Sequence, residues 1–321
     1  MKLLKNITTP TGNILLVEGN KGKLECLSLA DYGQAKNIKA DFLGFTDEIK
    51  GVPHGKLLPL TEKWVCTIST QYGCSMNCNF CDAWKVGRGR NASLLDMQNQ
   101  ILSVLMMHKD IEFSNRLNIH FARMGEPTWN PNVLECGKWI HTHLQEFNPH
   151  PVVSTMMPKH NEWLRTFIHT WMRIKNRLYK GNAGLQISVN STNDEERNEM
   201  FSGNSHDFFE IYKIMEGIIP TGRKITLNFA LAGYEIDPEK LKKYFDPSKY
   251  ICKLTPMHMT NSCVDNNIYT ENGYTDYYPY KEIEENLKDV GYDVLVFVPS
   301  KEEDESRITC GNVILSENNK T

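Results

Sequence analysis

Apolar and polar positions alternate along this chain with two different periods. Near the start, the short apolar runs GNILLVEG and KLECLSL, bounded by Gly, Asn and Lys, predict hairpin strands within the first 60 or so residues. From Trp64 onward, strand-like runs alternate with helix-period stretches, the pattern of parallel strands joined by crossover helices in an α/β sheet or barrel. Strands are expected at 64–70, 116–122, 151–155, 184–190, 224–231, 250–256 and 292–298. Ser93 with Asp96 three residues on reads as a capping box, opening a helix whose Leu94, Leu95, Met97, Ile101, Leu102 and Leu105 share one face. Asn130 and Pro131 open the next helix, with Val133, Leu134, Ile140 and Leu144 at helical spacing. Further helices are expected at 161–179, 194–200, 206–217, 238–245 and 280–289. The Tyr-rich stretch 266–280 reads as a surface loop long enough to cover a site, and 316–321 as a frayed tail. The expected organisation is a small β-rich cap over 1–62, an α/β barrel with a C-terminal extension over 63–313, and a tail over 314–321.

Composition narrows the class. With 321 residues, 40% of them hydrophobic, the chain can bury a sizeable core. Lys plus Arg is 36 against 39 Asp plus Glu, a net charge of −3, so no overall basic field draws nucleic acid to it. The apolar run 101–107 is followed at once by His108, Lys109 and Asp110, too short for a bilayer. An odd count of nine cysteines, and an N-terminus broken by Thr, Pro and Gly, argue against secretion and a disulfide framework. A reducing, cytoplasmic setting is expected.

The densest chemistry lies in Cys74-Ser75-Met76-Asn77-Cys78-Asn79-Phe80-Cys81, directly after the strand expected at 64–70. Three thiolates in one tight loop suit zinc or an iron–sulfur cluster. A closed zinc site wants four ligands, and no second paired Cys or His motif occurs in the chain, although a distant His could complete one. A [4Fe–4S] cluster on three cysteines instead leaves one iron open to a small molecule.

This CxxxCxxC pattern resembles that of the radical SAM superfamily. The resemblance implies a partial (β/α)6 TIM-like barrel and a [4Fe–4S] cluster on Cys74, Cys78 and Cys81. S-adenosylmethionine (SAM) would be chelated at the open iron and cleaved to a 5′-deoxyadenosyl radical. A flavodoxin or ferredoxin would supply the electron. Phe80 matches the aromatic that lies near the adenine, and also reads as a core aromatic.

A closer similarity is to the RlmN/Cfr-type enzymes that methylate an adenosine carbon in RNA, over roughly residues 67–313. It rests on the lead-in Ser69-Thr70-Gln71-Tyr72-Gly73-Cys74, on Gly87, Arg90 and Asn91, on Met124-Gly125-Glu126-Pro127, and on Ile187-Ser188-Val189-Asn190 with Asn193-Asp194-Glu195. It implies a SAM shell of Gly125, Glu126, Ser154, Ser188 and Asn190, with His258 where the family has Asn. Cys310, in Ile308-Thr309-Cys310-Gly311-Asn312, matches the methyl-carrying cysteine.

The family pattern is also broken in places. The partner cysteine falls on Thr67, and Cys66, one residue early, points to the opposite face of a strand. The family's upstream glutamate falls on His54. The segment Lys301–Arg307, basic in the RNA enzymes, holds four acidic residues against two basic ones here, which would repel phosphate.

The favoured expectation is therefore a scaffold turned to a small nucleoside or nucleotide, most like the queuine lyases of queuosine salvage, with nucleic acid disfavoured as a partner. His120, Arg123, Asn228 and His258 would bind the substrate, and Lys85, Arg88 and Arg90 a 5′-phosphate. The alternatives are an RNA adenosine methyltransferase using Cys310 with Cys66 or Cys263, and a non-enzymatic zinc protein. Cys26, Cys136 and Cys252 read as small core hydrophobes, and Cys263 as a loop residue at the barrel mouth.

Overall fold

The computed structural model describes residues 2–31, 57–299, 301–308 and 313–318. His54, Cys310 and residues 319–321, each singled out above, lie outside them. Three antiparallel strands open the chain, β1 (Lys2–Thr9), β2 (Gly12–Gly19) and β3 (Gly22–Ala30). β3 pairs antiparallel with β4 (Trp64–Ile68), so the β-rich N-terminal region continues the main sheet.

After β4 the chain makes a small separate hairpin, β5 (Gln71–Gly73) with β6 (Arg88–Asn91), around helix α1 (Ala83–Val86). The expected strand 64–70 stops at Ile68 because a side chain takes over its ladder. Gln100 Oε1 accepts from Ser69 N at 2.9 Å, and Gln100 Nε2 donates to Ser69 O at 3.0 Å.

The parallel series then runs β7 (Leu117–Phe121), β8 (Pro149–Thr155), β9 (Gly184–Ser188), β10 (Ile225–Leu231), β11 (Tyr250–Pro256) and β12 (Asp293–Val296). The sheet order is β1-β2-β3-β4-β7-β8-β9-β10-β11-β12, an open, partial TIM-like barrel. Strand ends retreat by one or two residues from expectation at several positions, while the order is as expected.

Helices cover the outer face. α2 (Leu94–Met106) starts at the predicted capping box, with Ser93 Oγ accepting from Asp96 N at 3.0 Å. α3 (Asn132–His143) begins just after Pro131. α4 (Leu164–Arg173) is shorter than expected and passes into a π-turn over Ile174–Leu178. α5 (Asp194–Met200), α6 (Phe208–Met215), α7 (Pro238–Tyr244), the short α8 (Asn261–Asp265) and α9 (Tyr278–Asp289) follow. α10 (Lys301–Glu305) and α11 (Val313–Asn318) end the described chain, so residues 316–318 continue a helix where a frayed tail was expected. Phe121, Phe167, Trp171 and Phe229 are fully buried in the core, each worth roughly 1.5–3 kcal/mol against exposure. Among the described residues no helix is long and apolar enough to cross a membrane.

The segment 266–277 is a loop, as expected, with six of its residues exposed, and side-chain bonds anchor it. Asn266 Nδ2 donates to Asn79 O at 2.8 Å, Thr270 Oγ1 accepts from Met257 N at 2.7 Å and also bonds Leu231 O, and Tyr280 OH bonds Gly273 O. It forms a packed wall of the barrel mouth, with Ile268 in the same cluster as Cys78.

Candidate functional site at the barrel mouth

In β4 the side chains of Trp64, Cys66 and Ile68 are buried and those of Val65 and Thr67 half-buried, the alternation of a strand with one face under helices. Cys66 lies near Cys26 of β3 and Cys136 of α3, and burial pushes its thiol well up. It is a core residue, as its register predicted. Thr67 pairs across the sheet with His120, on the lumen side. Cys26, Cys136 and Cys252 are likewise buried.

The cysteine loop hangs from β5. Gly73 adopts φ +79°, and a Cβ there would sit 2.1 Å from Gly87 O, so glycine lets the loop lie against the approach to β6. Two elements then grip the loop's carbonyls. From the end of α5, Asn204 Nδ2 donates to Met76 O at 3.1 Å and Ser202 Oγ to Asn77 O at 2.6 Å. From the start of α8, Thr260 Oγ1 donates to Phe80 O at 2.8 Å and Ser262 Oγ to Cys81 O at 3.2 Å. Asp82 answers by accepting from Asn261 N at 2.9 Å and from Ser262 N at 3.0 Å. Burial alone would raise the Asp82 carboxyl, but bonds from Ser262, Lys85 and Asn261 bring it below its usual value.

The three thiols are near enough to act on one another. Burial, then Cys81, pushes Cys74 up to about 12, and burial, then Cys74 and Cys81, pushes Cys78 well up. Ala83 N approaches Cys81 Sγ at 3.4 Å, and Met156 Sδ lies 3.8 Å from Cys78 Sγ. Among the described residues no group of three or more His, Cys, Asp or Glu converges as a single metal ion would need. The sulfurs sit in an apolar cup of Met76, Phe80, Met200, Phe201, Met257 and Cys263, where Phe80 meets Phe201 edge-on at 5.7 Å. Cys263 is buried in α8, not in a loop, its Sγ 3.4 Å from Phe80 O and 3.2 Å from His258 O.

The Met124–Pro127 turn follows β7 and abuts the cysteine loop. Gly125 has φ +98°, and a Cβ would lie 2.5 Å from Gln71 Cβ. Gln71 Oε1 accepts from Glu126 N at 3.0 Å and Ser75 N at 3.3 Å, while its Nε2 donates to Asn91 Oδ1 at 2.9 Å. Glu126 is fully buried, which raises its carboxyl. It accepts from Thr128 N at 3.1 Å, Thr128 Oγ1 at 2.7 Å and Met156 N at 2.9 Å, bridging the ends of β7 and β8. Ser154 and Ser188 are half-buried, on neighbouring strands. Asn190, at φ +61°, uses its amide to accept from Ala230 N at 3.0 Å and to reach Met200 Sδ at 3.3 Å. Asn228 stands between Ser188 and Lys253 in register, its Oδ1 buried without a partner. Sequence reasoning missed Gln71, Asp82, Thr260 and Ser262. The one signal for the last pair was a Thr at the N-cap position of a short helix.

Several expected substrate ligands have other work. Arg123 is only 3% exposed and pairs with fully buried Glu25 at 2.9 Å. Its Nη1 donates to Ile308 O at 2.9 Å and its Nη2 to Arg307 O at 3.0 Å, while Glu25 Oε1 accepts from Ile314 N at 2.9 Å. His258 Nδ1 pairs with Asp304 Oδ1 at 3.0 Å and lies 3.2 Å from Tyr274 OH. Lys85 pairs with Asp82 at 3.0 Å and Asp265 at 3.6 Å, Arg90 donates to Lys21 O at 2.9 Å, and Arg88 is exposed, so no common phosphate cradle forms. His120 faces the lumen, pushed down to about 3 by burial and then by Lys253 and Arg223.

The acidic segment also changes meaning. Glu303 is buried and accepts from Thr11 Oγ1 at 2.7 Å, and Asp304 is buried against Met259 N at 3.0 Å and His258. What faces solvent is Lys301, Glu302 and Glu305, with Arg307 half-buried, a balanced set. Two of the segment's four acids are thus withdrawn from the surface.

No protein-family model matches the chain. It is 30% identical over 186 residues to the dual-specificity RNA methyltransferase RlmN of Campylobacter lari, covering 57% of this chain and 48% of that one. To the probable RlmN of Synechococcus sp. (strain CC9902) it is 27% identical over 215 residues, covering 66% and 57%. To the RlmN of Marinomonas sp. it is 23% identical over 283 residues, covering 83% and 70%. The chain spans about half the length of the first two curated relatives it matches, 48% and 50%. Its fold is that of a radical SAM methyltransferase from Sphaerobacter thermophilus, at TM-score 0.66 and 17% identity over 94% of this chain and 78% of that one. The chain thus shares the fold of that radical SAM methyltransferase and is similar in sequence to RlmN over somewhat more than half of its length. The three curated relatives, each named as an RNA methyltransferase, overturn the expectation of a queuine lyase in queuosine salvage. With it goes the expectation of a free nucleoside or nucleotide substrate in place of nucleic acid.

Proposed function

We propose that this chain is a radical SAM enzyme that transfers a methyl group to an adenosine of RNA, with Cys310 as the methyl carrier. The observation that supports it is the Arg123–Glu25 pair. Arg123 lies two residues before Gly125, and the pair holds Ile308 and Ile314, the flanks of the segment that carries Cys310. That pair ties the described residues on either side of Cys310, Ile308 and Ile314, to the strand that leads into Gly125.

In this reading Cys74, Cys78 and Cys81 hold a [4Fe–4S] cluster, and Gly125, Glu126, Ser154, Ser188 and Asn190 surround SAM, with Phe80 and His258 beside it. Bound there, cluster and SAM would supply an electron and a methyl group to the reaction. The chain's own part is to release thiol protons on loading, since buried Cys74 and Cys78 are otherwise held neutral, and to keep the cup dry. Cys66 faces the core, so the second cysteine falls to Cys263, which shares the cup with the cluster cysteines.

The test uses anaerobically reconstituted protein, a reductant, RNA and SAM labelled in its methyl group. Label is expected as S-methylcysteine on Cys310 and in RNA adenosine. Cys310→Ala should lower RNA labelling at least a hundredfold while iron content stays unchanged. RNA labelling that survives Cys310→Ala, or no label in either place, would overturn the reading.

A further inference from the structure

The end of the barrel opposite the mouth carries a second polar site. Arg116 immediately precedes β7, Arg223 lies two residues before β10, and His150 is the second residue of β8, so all three sit at the N-terminal ends of the parallel strands. Arg116 Nε donates to Asn118 Oδ1 at 2.9 Å, and Asn118 pairs with His150 in register. Arg223 Nη1 lies 3.4 Å from Asn182 O, the same carbonyl to which the His150 ring hydrogen-bonds. Glycine at 184 makes room, since a Cβ there would stand 3.3 Å from Arg223 Nη1.

Lys63 and Lys253 also act on the ring of His120, one pair further up the lumen. Asp31 pairs with Lys63 at 2.9 Å and also attracts Arg116, whereas no salt bridge joins Arg223 to a carboxylate among the described residues. Arginine cannot shed its charge, so Arg223, half-buried beside Arg116, would be stabilised by an anion. Arg223 is pushed down to about 10 by burial and then by Arg116. The His150 side chain is 9% exposed, and its Nδ1 is buried without a partner. With the ring's other nitrogen donating to Asn182 O, neutral His150 presents Nδ1 as an acceptor.

We propose that this floor binds a phosphate-class oxyanion that retains one hydroxyl. Its charged oxygens would accept from Arg116 and Arg223, and its O–H would donate to His150 Nδ1. The inference is independent of the reading of the mouth. It also distinguishes anions of equal size, because sulfate at neutral pH has no hydroxyl to give.

Titration calorimetry of the full chain with inorganic phosphate, sulfate and AMP at constant ionic strength tests it. One saturable phosphate per chain is expected, with sulfate at least tenfold weaker. Arg223→Gln should weaken phosphate at least tenfold, and His150→Phe should remove the preference over sulfate. Arg116→Gln serves if Arg223→Gln fails to fold by circular dichroism. Tighter binding of AMP than of phosphate assigns the site to a phosphomonoester, and equal or weaker binding assigns it to the free ion. Absence of saturable phosphate binding, or unchanged affinity in the folded variants, overturns the proposal.

Discussion

His120 stands half-exposed to the barrel lumen yet far from bulk water, and its neighbours are cations. Its pKa falls to about 3 in the folded chain, by burial first and then Lys253 and Arg223, against about 6.5 unfolded. Between those values the unfolded chain binds a proton that the folded chain refuses, so stability rises with pH through that window and is lost on acidification. At pH 5 the loss from this one group is up to about 2 kcal/mol. Urea midpoints from pH 7 to pH 5 should show it, and His120→Gln should flatten the slope. At this scale the sequence was a partial guide. The gathering of Cys74, Cys78 and Cys81 in one buried loop and the turn of Cys66 into the core were legible because spacing and strand parity fix them. The employment of Arg123 and His258 was not, since the groups that claim them, Glu25, the Ile308 carbonyl and Asp304, lie many residues away in the chain.

Among the elements, α8 does more than its five residues suggest. Its first turn supplies Thr260 and Ser262 to the cluster loop, and Asp82 from that loop caps it in return. Asp82→Ala therefore leaves the first two amides of α8 without their acceptor, typically a loss of about 1–3 kcal/mol, and loosens the Cys81 end of the loop at the same time. Iron per chain after anaerobic reconstitution should fall by half or more, with the far-ultraviolet circular dichroism unchanged. Long strands and helices were readable from periodicity because their hydrogen bonds are local or follow from the apolar stripe. The β5–β6 hairpin and the anchoring of the 266–277 loop were not, for they are held by side chains such as Gln71 and Thr270 acting on distant backbone. Even the early end of β4 belongs here, a strand stopped by the amide of Gln100.

At the scale of the whole molecule, the N-terminal strands are built into the site. Glu25 on β3 and Thr11 before β2 receive Ile314 N and bond Glu303, so both sides of the Cys310 segment depend on strands that carry no cofactor ligand. Glu25→Gln should separate two readouts. It leaves the buried Arg123 uncompensated and costs roughly 3–5 kcal/mol of stability. In the protein that still folds, iron content should be retained while S-methylation of Cys310 drops at least tenfold. Equal methylation in the variant would mean that the tether is only structural. The balanced outer charge of the 301–307 segment was also invisible in a residue count, because burial of Glu303 and Asp304 removes half its acids from the surface.

Glu25 and Ile314 stand 289 positions apart. A contact between residues so far apart in sequence closes a very long loop, so it forms only after the sheet between β3 and β12 has brought its two ends together. Assembly of the sheet and docking of the 301–308 and 313–318 segments should therefore separate in time, with the docked segments the first to let go.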